Sequence, residues 1–266
     1  MEIKIAQKTN SSTLLHREDS EMADTMAQIS SSVTALTQEF DIIAHNLANV
    51  STVGYKRRCN AFTTSLDSQQ TGAATDSGGT VALNTALDFS QGNLVETGRP
   101  LDFALYGGGF FVIETPQGPL YTRNGVFCTN QNGQIVDSQG RTVAGEAGPI
   151  TMPGNVGLSE VTISSEGEIA AGGTDIGKFR LVDFKDDESK LLPTGGNCYR
   201  MPDADIRPVP AEHIIVKQGY QEASNVKLID ELVDMILVAR LYEANMKIVT
   251  AQKEASGSMM SVAMSV

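Results

Sequence analysis

Apolar residues near the start of the chain recur at alternating steps of three and four: Met26, Ile29, Val33, Leu36, Phe40, Ile43, Leu47 and Val50. That period lays one seam along a helix and predicts a helix over residues 22–50. Toward the other end Leu228, Leu232, Met235, Ala239, Tyr242, Met246 and Val249 repeat the spacing. A second row, Leu237, Leu241, Ala244, Ile248 and Ala251, lies beside them, so this helix has an apolar face wider than one partner helix covers. Ser224 or Asn225 is placed to cap it, and Asp230 and Glu231 suit the positive end of its dipole.

Between the helices the pattern changes. All nine prolines lie between Pro100 and Pro210, and nineteen of the twenty-five glycines lie between Gly92 and Gly196. Both residue types punctuate turns and oppose long helices. Phe103–Tyr106 and Phe110–Ile113 flank Gly107-Gly108-Gly109, which reads as a tight turn or bulge. The runs 120–123 and 126–129 flank Asn124-Gly125, a strong signal for a two-residue hairpin turn. Residues 161–163 and 178–184 are further strands. Short strands at this spacing predict an antiparallel barrel or sandwich. Residues 64–80, polar and rich in small side chains, read as a loop or linker.

The expected class is therefore α+β: long N- and C-terminal helices forming a coiled-coil layer, with a central antiparallel all-β domain. The expected division is a polar N-terminal extension (1–21), an N-terminal helix (22–50) and a linker with an extended segment (51–90). A β domain (91–210) and a return segment with the C-terminal helix (211–266) complete it.

Charge narrows the function. Twenty Lys and Arg against thirty-two Asp and Glu give a formal net charge of −12, which argues against phosphate-neutralising contact with nucleic acid. No run of eighteen apolar residues exists, so no helix is expected to insert in a membrane, and no conventional signal peptide is expected. Cys59, Cys128 and Cys198 form neither a disulfide framework nor a metal motif. His16, His45 and His213 are scattered, and HExxH, CxxC, phosphate-loop and GxSxG patterns are missing. A Ser-His-Asp triad assembled in space stays open, because its members need no fixed spacing. Glu96 and Asp102 make the best carboxylate pair for glycoside chemistry, although a solvated strand end is the ordinary meaning of such residues.

Asn46-Leu47-Ala48-Asn49-Val50-Ser51-Thr52-Val53-Gly54-Tyr55-Lys56-Arg57 resembles the NLANxxTxGfKr box of bacterial flagellar rod and hook proteins. The segments 90–94, 101–105, 109–111 and 121–125 are similar to that family's β-domain signatures. Ser224-Asn225-Val226, Met235-Ile236, Arg240–Glu243 and Met246-Lys247 resemble its C-terminal helix. The chain is thus identified as a member of the flagellar basal-body rod family, with residues 99–102 and 145–150 nearest the proximal-rod branch and the distal-rod branch next. The resemblance implies a structural axial component of the basal body, without catalysis, metal or cofactor. It implies self-association through the terminal helices to transmit torque between motor and hook. Met26, Ile29, Val33, Leu36, Phe40, Ile43, Leu47, Leu228, Leu232, Met235, Leu241, Tyr242, Met246 and Ile248 are the expected subunit-packing residues. Asn46, Leu47, Ala48, Asn49, Gly54 and Lys56 are the expected family-box residues, with Gly54 letting the chain leave the helix sharply. Other rod subunits and the flagellar type III export apparatus are the implied partners, with the periplasmic span of the rod as the location and no cleaved leader. The alternatives are a surface adhesin or scaffold with a helical stalk and β head, and a periplasmic carbohydrate-active enzyme.

Overall fold

The computed structural model describes residues 2–63, 82–212 and 214–264. The linker reading of 64–80 and the side chain of His213 lie outside them. Two compact units divide the chain: one holds Met1–Ala44 with Ile229–Val266, the other His45–Leu228.

Helix α1 spans Glu2–Ala48 and α2 spans Leu228–Met264, 47 and 37 residues. Because α1 begins at Glu2, residues 2–21 of the expected polar extension lie within the helix. The expected coiled-coil layer is not formed. Met26, Phe40, Leu228, Leu232, Leu241, Tyr242, Met246 and Ile248 are each 40–48% exposed. Both predicted rows of α2 are thus left largely open. The line of α2 that turns away from solvent is Glu231, Met235, Val238, Asn245, Val249 and Gln252. Asn245 Nδ2 on this line donates to Ser32 Oγ of α1 at 3.1 Å. A knobs-into-holes seam needs apolar side chains on the facing line, and this one carries Glu231, Asn245 and Gln252. The three-four period predicts which residues share a face, but not which face is covered.

In the second unit the strands are β1 (Arg57–Thr63), β2 (Ala82–Asp88), β3 (Leu94–Glu96), β4 (Phe103–Tyr106) and β5 (Phe110–Glu114). Next come β6 (Leu120–Thr122), β7 (Cys128–Thr129), β8 (Ile135–Val136), β9 (Thr142–Gly145), β10 (Gly148–Pro149), β11 (Val161–Ile163) and β12 (Glu168–Ala171). The last are β13 (Thr174–Lys178), β14 (Leu181–Asp183), β15 (Leu192–Gly195), β16 (Cys198–Arg200), β17 (Val209–Pro210), β18 (Ile215–Gln218) and β19 (Tyr220–Glu222). The main sheet runs β15-β16-β6-β5-β9-β8-β7, with β10 on β9, β14 on β5 and β17 on β14. Smaller sheets are β11-β12-β13, β18-β4, β19-β3 and β1-β2, and the pairings are antiparallel.

Strand β5 explains the core. Its run Phe110-Phe111-Val112-Ile113 has no polar alternation because both faces are covered. Phe111 and Ile113 join Phe103, Phe127, Phe179, Ile135 and Val143 on one side. Phe110 and Val112 join Tyr121, Val182, Phe184 and Tyr199 on the other. Phe103 and Phe111 each meet the Phe179 ring edge to face, at 5.2 and 5.4 Å between centroids.

Two expected turns resolve differently. Asn124-Gly125 is no hairpin, since β6 pairs with β5 and β16 while β7 pairs with β8. Asn124 Oδ1 accepts the Val126 N–H, and Gly125 passes so near Phe103 that a Cβ there would lie 1.8 Å from its carbonyl oxygen. Gly107-Gly108-Gly109 carries the chain from the β4 sheet to the β5 sheet, with φ of +106° and +108° at its outer glycines.

Truncating an aromatic at the shared side of this core removes contacts to several rings. Phe111→Ala is expected to lower unfolding stability by about 3–5 kcal/mol, measured by urea titration of the full chain followed by tyrosine fluorescence. A change below about 1 kcal/mol on the same scale contradicts this account of the core.

Candidate functional site: a buried junction of the two chain ends

The leading strands β3 and β4 pair with the returning strands β19 and β18, in registers such as Leu94 opposite Glu222 and Phe103 opposite Gln218. This pairing brings the segment that follows α1 beside the segment that precedes α2. The junction lies wholly within the second unit.

Glu222 is its hub. The side chains of Lys56 and Glu222 are completely buried, and Lys56 Nζ donates to Glu222 Oε1 at 2.8 Å. The same ammonium donates to the carbonyls of Ser90 (2.7 Å) and Phe89 (3.3 Å), so each of its three hydrogens has an acceptor. Glu222 Oε1 also accepts the Gly92 N–H at 2.9 Å. The Glu222 backbone carbonyl accepts the Gly54 N–H at 2.7 Å. Arg123 lies 3.8 Å from Glu222 Oε2, donates to the Gly107 carbonyl at 2.7 Å, and sits 5.1 Å from the Phe110 ring centre. Burial pulls the Lys56 ammonium below the ordinary lysine range, against the opposing pull of Glu222.

The family-box residues surround this pair. Asn46 is buried and mimics a strand partner for Arg58, its Nδ2 donating to the Arg58 carbonyl at 2.8 Å and its Oδ1 accepting the Arg58 N–H at 2.9 Å. Tyr55 Oη donates to Asn46 Oδ1 and lies 2.9 Å from His45 Nδ1. Asn49 Nδ2 donates to the His45 carbonyl, and Thr52 Oγ1 donates to Asn49 Oδ1. Leu47 is half-buried and Ala48 exposed. Gly54 has φ +68°, and a Cβ there would sit 2.6 Å from the Asn124 backbone nitrogen, so both conformation and space demand glycine.

Asn225 is not a helix cap, because α2 starts three residues later. Its Oδ1 accepts the Arg57 N–H at 2.7 Å, and its Nδ2 donates to the carbonyls of Asp88 and Ser90. Sequence patterns set Lys56 apart but gave no sign of Glu222, which lies 166 residues away, or of the Arg123 contact. No local period links such positions.

Among the expected packing residues, Ile43 is buried, and Ile29, Val33, Leu36, Leu47 and Met235 are half-buried. The rest are exposed, as described above. The carboxylate pair Glu96 and Asp102 does not share one environment. Asp102 is buried and accepts from Thr97 Oγ1 at 2.7 Å and Gln221 Nε2 at 3.3 Å, whereas exposed Glu96 accepts from the Tyr220 hydroxyl at 3.3 Å. Among the described residues no cluster of His, Cys, Asp and Glu has the arrangement of a metal site.

Residues 30–56 match the family model described as flagella basal body rod protein. Residues 104–171 match the flagellar hook protein FlgE/F/G D1 domain, and 217–262 the C-terminal region of flagellar basal body rod FlgEFG proteins. The first match covers much of the box, and the third contains Glu222 and Asn225. The chain is similar to the flagellar basal-body rod protein FlgG of Agrobacterium fabrum, 31% identical over 255 residues, 86% of this chain and 95% of the relative. It is also similar to the rod protein FlgF of Caulobacter vibrioides, 33% identical over 230 residues, 84% of this chain and 91% of the relative. The FlgG of Bacillus subtilis is 32% identical over 240 residues, 81% of this chain and 90% of the relative.

Removing one partner of a buried ion pair strands the other charge. Lys56→Met is expected to cost about 3–5 kcal/mol, while the double variant Lys56→Met, Glu222→Leu recovers much of that loss in urea unfolding. A neutral single variant overturns the hub assignment. His45 gives a pH signature. Burial and the nearby Arg58 hold its imidazole below the usual histidine value of 6.5. The unfolded chain therefore binds this proton at a higher pH than the native chain, so stability is full above 6.5 and falls as pH drops through the window beneath it. His45→Gln is expected to flatten the stability loss between pH 7.5 and 5, read from paired urea midpoints; an unchanged slope contradicts it.

Proposed function

Because the chain belongs to the flagellar basal-body rod protein family and is a structural component of the basal body, we propose that it self-associates through the exposed apolar rows of its helices. The observation that carries this is on α2: Leu228, Leu232, Leu241, Tyr242, Met246 and Ile248 are large apolar residues left 40–48% exposed. A row of that kind is a liability on a free protein and an asset in an ordered array of identical neighbours. Each such side chain buried by a neighbour contributes about 1.5–3 kcal/mol before ordering costs. Association with other rod components follows from the family.

The buried junction passes force between the helical segments and the β sheets, because the Gly54–Glu222, Arg57–Asn225 and Lys56–Glu222 bonds tie both connecting strands to one framework. The protein works in the periplasmic span of the rod, transmitting torque between motor and hook, and leaves the cytoplasm through the type III export apparatus without a cleaved leader. Catalysis, nucleic acid and membrane insertion form no part of this role. The net charge of −12 supports the exclusion of nucleic acid. Among the described residues no helix is long and apolar enough to cross a membrane.

A charge placed in an exposed row leaves the monomer intact but meets apolar surface on assembly. Ile248→Lys is expected to stay soluble and to melt like wild type, yet to be missing from purified basal bodies, with motility lost. Wild-type motility with normal incorporation refutes packing through this row.

A further inference from the structure

Beside the junction lies a cavity of about 230 Å³, walled by His45, Asn49, Tyr55, Arg58, Asn197 and Tyr199 among others. Every one of these residues belongs to the second unit. Its charged lining runs against the net charge of the chain. Acidic residues outnumber basic ones thirty-two to twenty over the whole chain, yet the charged groups lining this cavity are Arg58 and Lys56, with the His45 ring beside them.

Those cations are not equivalent. Lys56 is spent on Glu222 and two carbonyls. Arg58 pairs its backbone with Asn46, but among the described residues its guanidinium meets no carboxylate and no acceptor. A guanidinium presents five donors in a planar fork that suits a carboxylate. The walls are held in place from behind: Asn49 is bonded to His45, Tyr55 to Asn46, and Asn197 Nδ2 to the Val53 carbonyl at 2.7 Å. The hairpin that closes one side turns through Gly196 and Asn197, at φ of +60° and +54°, which fixes the Asn197 side chain toward Val53.

We propose that this cavity is a socket for a carboxylate side chain of a neighbouring subunit, received by the Arg58 guanidinium with the His45 ring alongside. The proposal rests on the rod reading. Charge complementarity selects the occupant: a cationic socket on a strongly acidic chain fits the surface of a second copy of this chain better than it fits a basic or apolar partner. The volume accepts a carboxylate and its methylenes, not a folded element.

Two measurements on the full-length chain test it. Sodium acetate, compared with sodium chloride at equal ionic strength, is titrated into the monomer while the His45 ring resonances are followed by NMR, with His45→Gln for assignment. Saturable shifts in wild type, lost in Arg58→Gln but retained in Arg58→Lys, are expected. Shifts no larger than those in chloride, or unaffected by Arg58→Gln, overturn the socket. In cells, Arg58→Gln and Arg58→Glu are expected to reduce recovery in purified basal bodies at least tenfold, with Arg58→Lys intermediate and all three melting like wild type. Normal recovery of Arg58→Gln overturns the subunit carboxylate even if acetate binds. Failure to recover the wild-type chain in basal bodies is instead a failure of the rod reading, and it leaves the acetate result to judge the socket.

Discussion

A carboxylate buried completely in protein must be answered by charge and hydrogen bonds, or it is expelled. Glu222 is answered by Lys56 from the segment after α1 and by the Gly92 amide from the segment before β3. Its own carbonyl is taken by Gly54. Two stretches of chain that are remote from it in sequence, around Gly54–Lys56 and around Gly92, are therefore fixed to one residue. If Lys56 is displaced, the carbonyls of Phe89 and Ser90 lose a donor as well. The glycines follow from this crowding. Gly92 packs where a Cβ would lie 2.0 Å from the Ala223 carbonyl oxygen, and Gly54 packs against the Asn124 backbone. Nothing larger lets the strands approach closely enough for the ion pair to close.

The β core supplies the rigidity that such a junction requires. Apolar packing is non-directional, so it cannot by itself position an ammonium within hydrogen-bond distance of a carboxylate. Strand β5 solves this by being covered on both faces, with Phe110 serving one cluster and lying under Arg123. Aromatic packing and the polar junction meet at that ring. Arg123 links the two, since the same side chain reaches toward Glu222 and bonds the Gly107 carbonyl at the crossing between sheets.

The helices obey a different rule. The line of α2 turned from solvent mixes Val238 and Val249 with Glu231, Asn245 and Gln252, while Leu241, Tyr242 and Ile248 remain in water. This inverts the usual distribution for a globular domain, and the proposed packing against neighbouring subunits is what would cover that surface. The proposed socket at the junction is the polar counterpart, with a guanidinium unanswered among the described residues of a chain rich in carboxylates.

Much was legible in the sequence alone. The three-four spacing announced two helices, and the confinement of proline and glycine to residues 54–219, Gly257 apart, announced the turn-rich β region between them. The box from Asn46 to Arg57 marked the junction and the family. These features are local: a helix period, a turn residue and a short motif are each written within a few neighbouring positions. The tertiary structure decided everything that depends on pairing across distance. It joined Lys56 to Glu222, turned Asn225 from an expected cap into a clamp on Arg57 and Asp88, and made Asn124-Gly125 a crossing instead of a hairpin. It also left uncovered the α2 rows that the period had assigned to a coiled coil. Periodicity records which side chains point together, whereas burial depends on which surfaces arrive opposite them, and that information exists only in three dimensions.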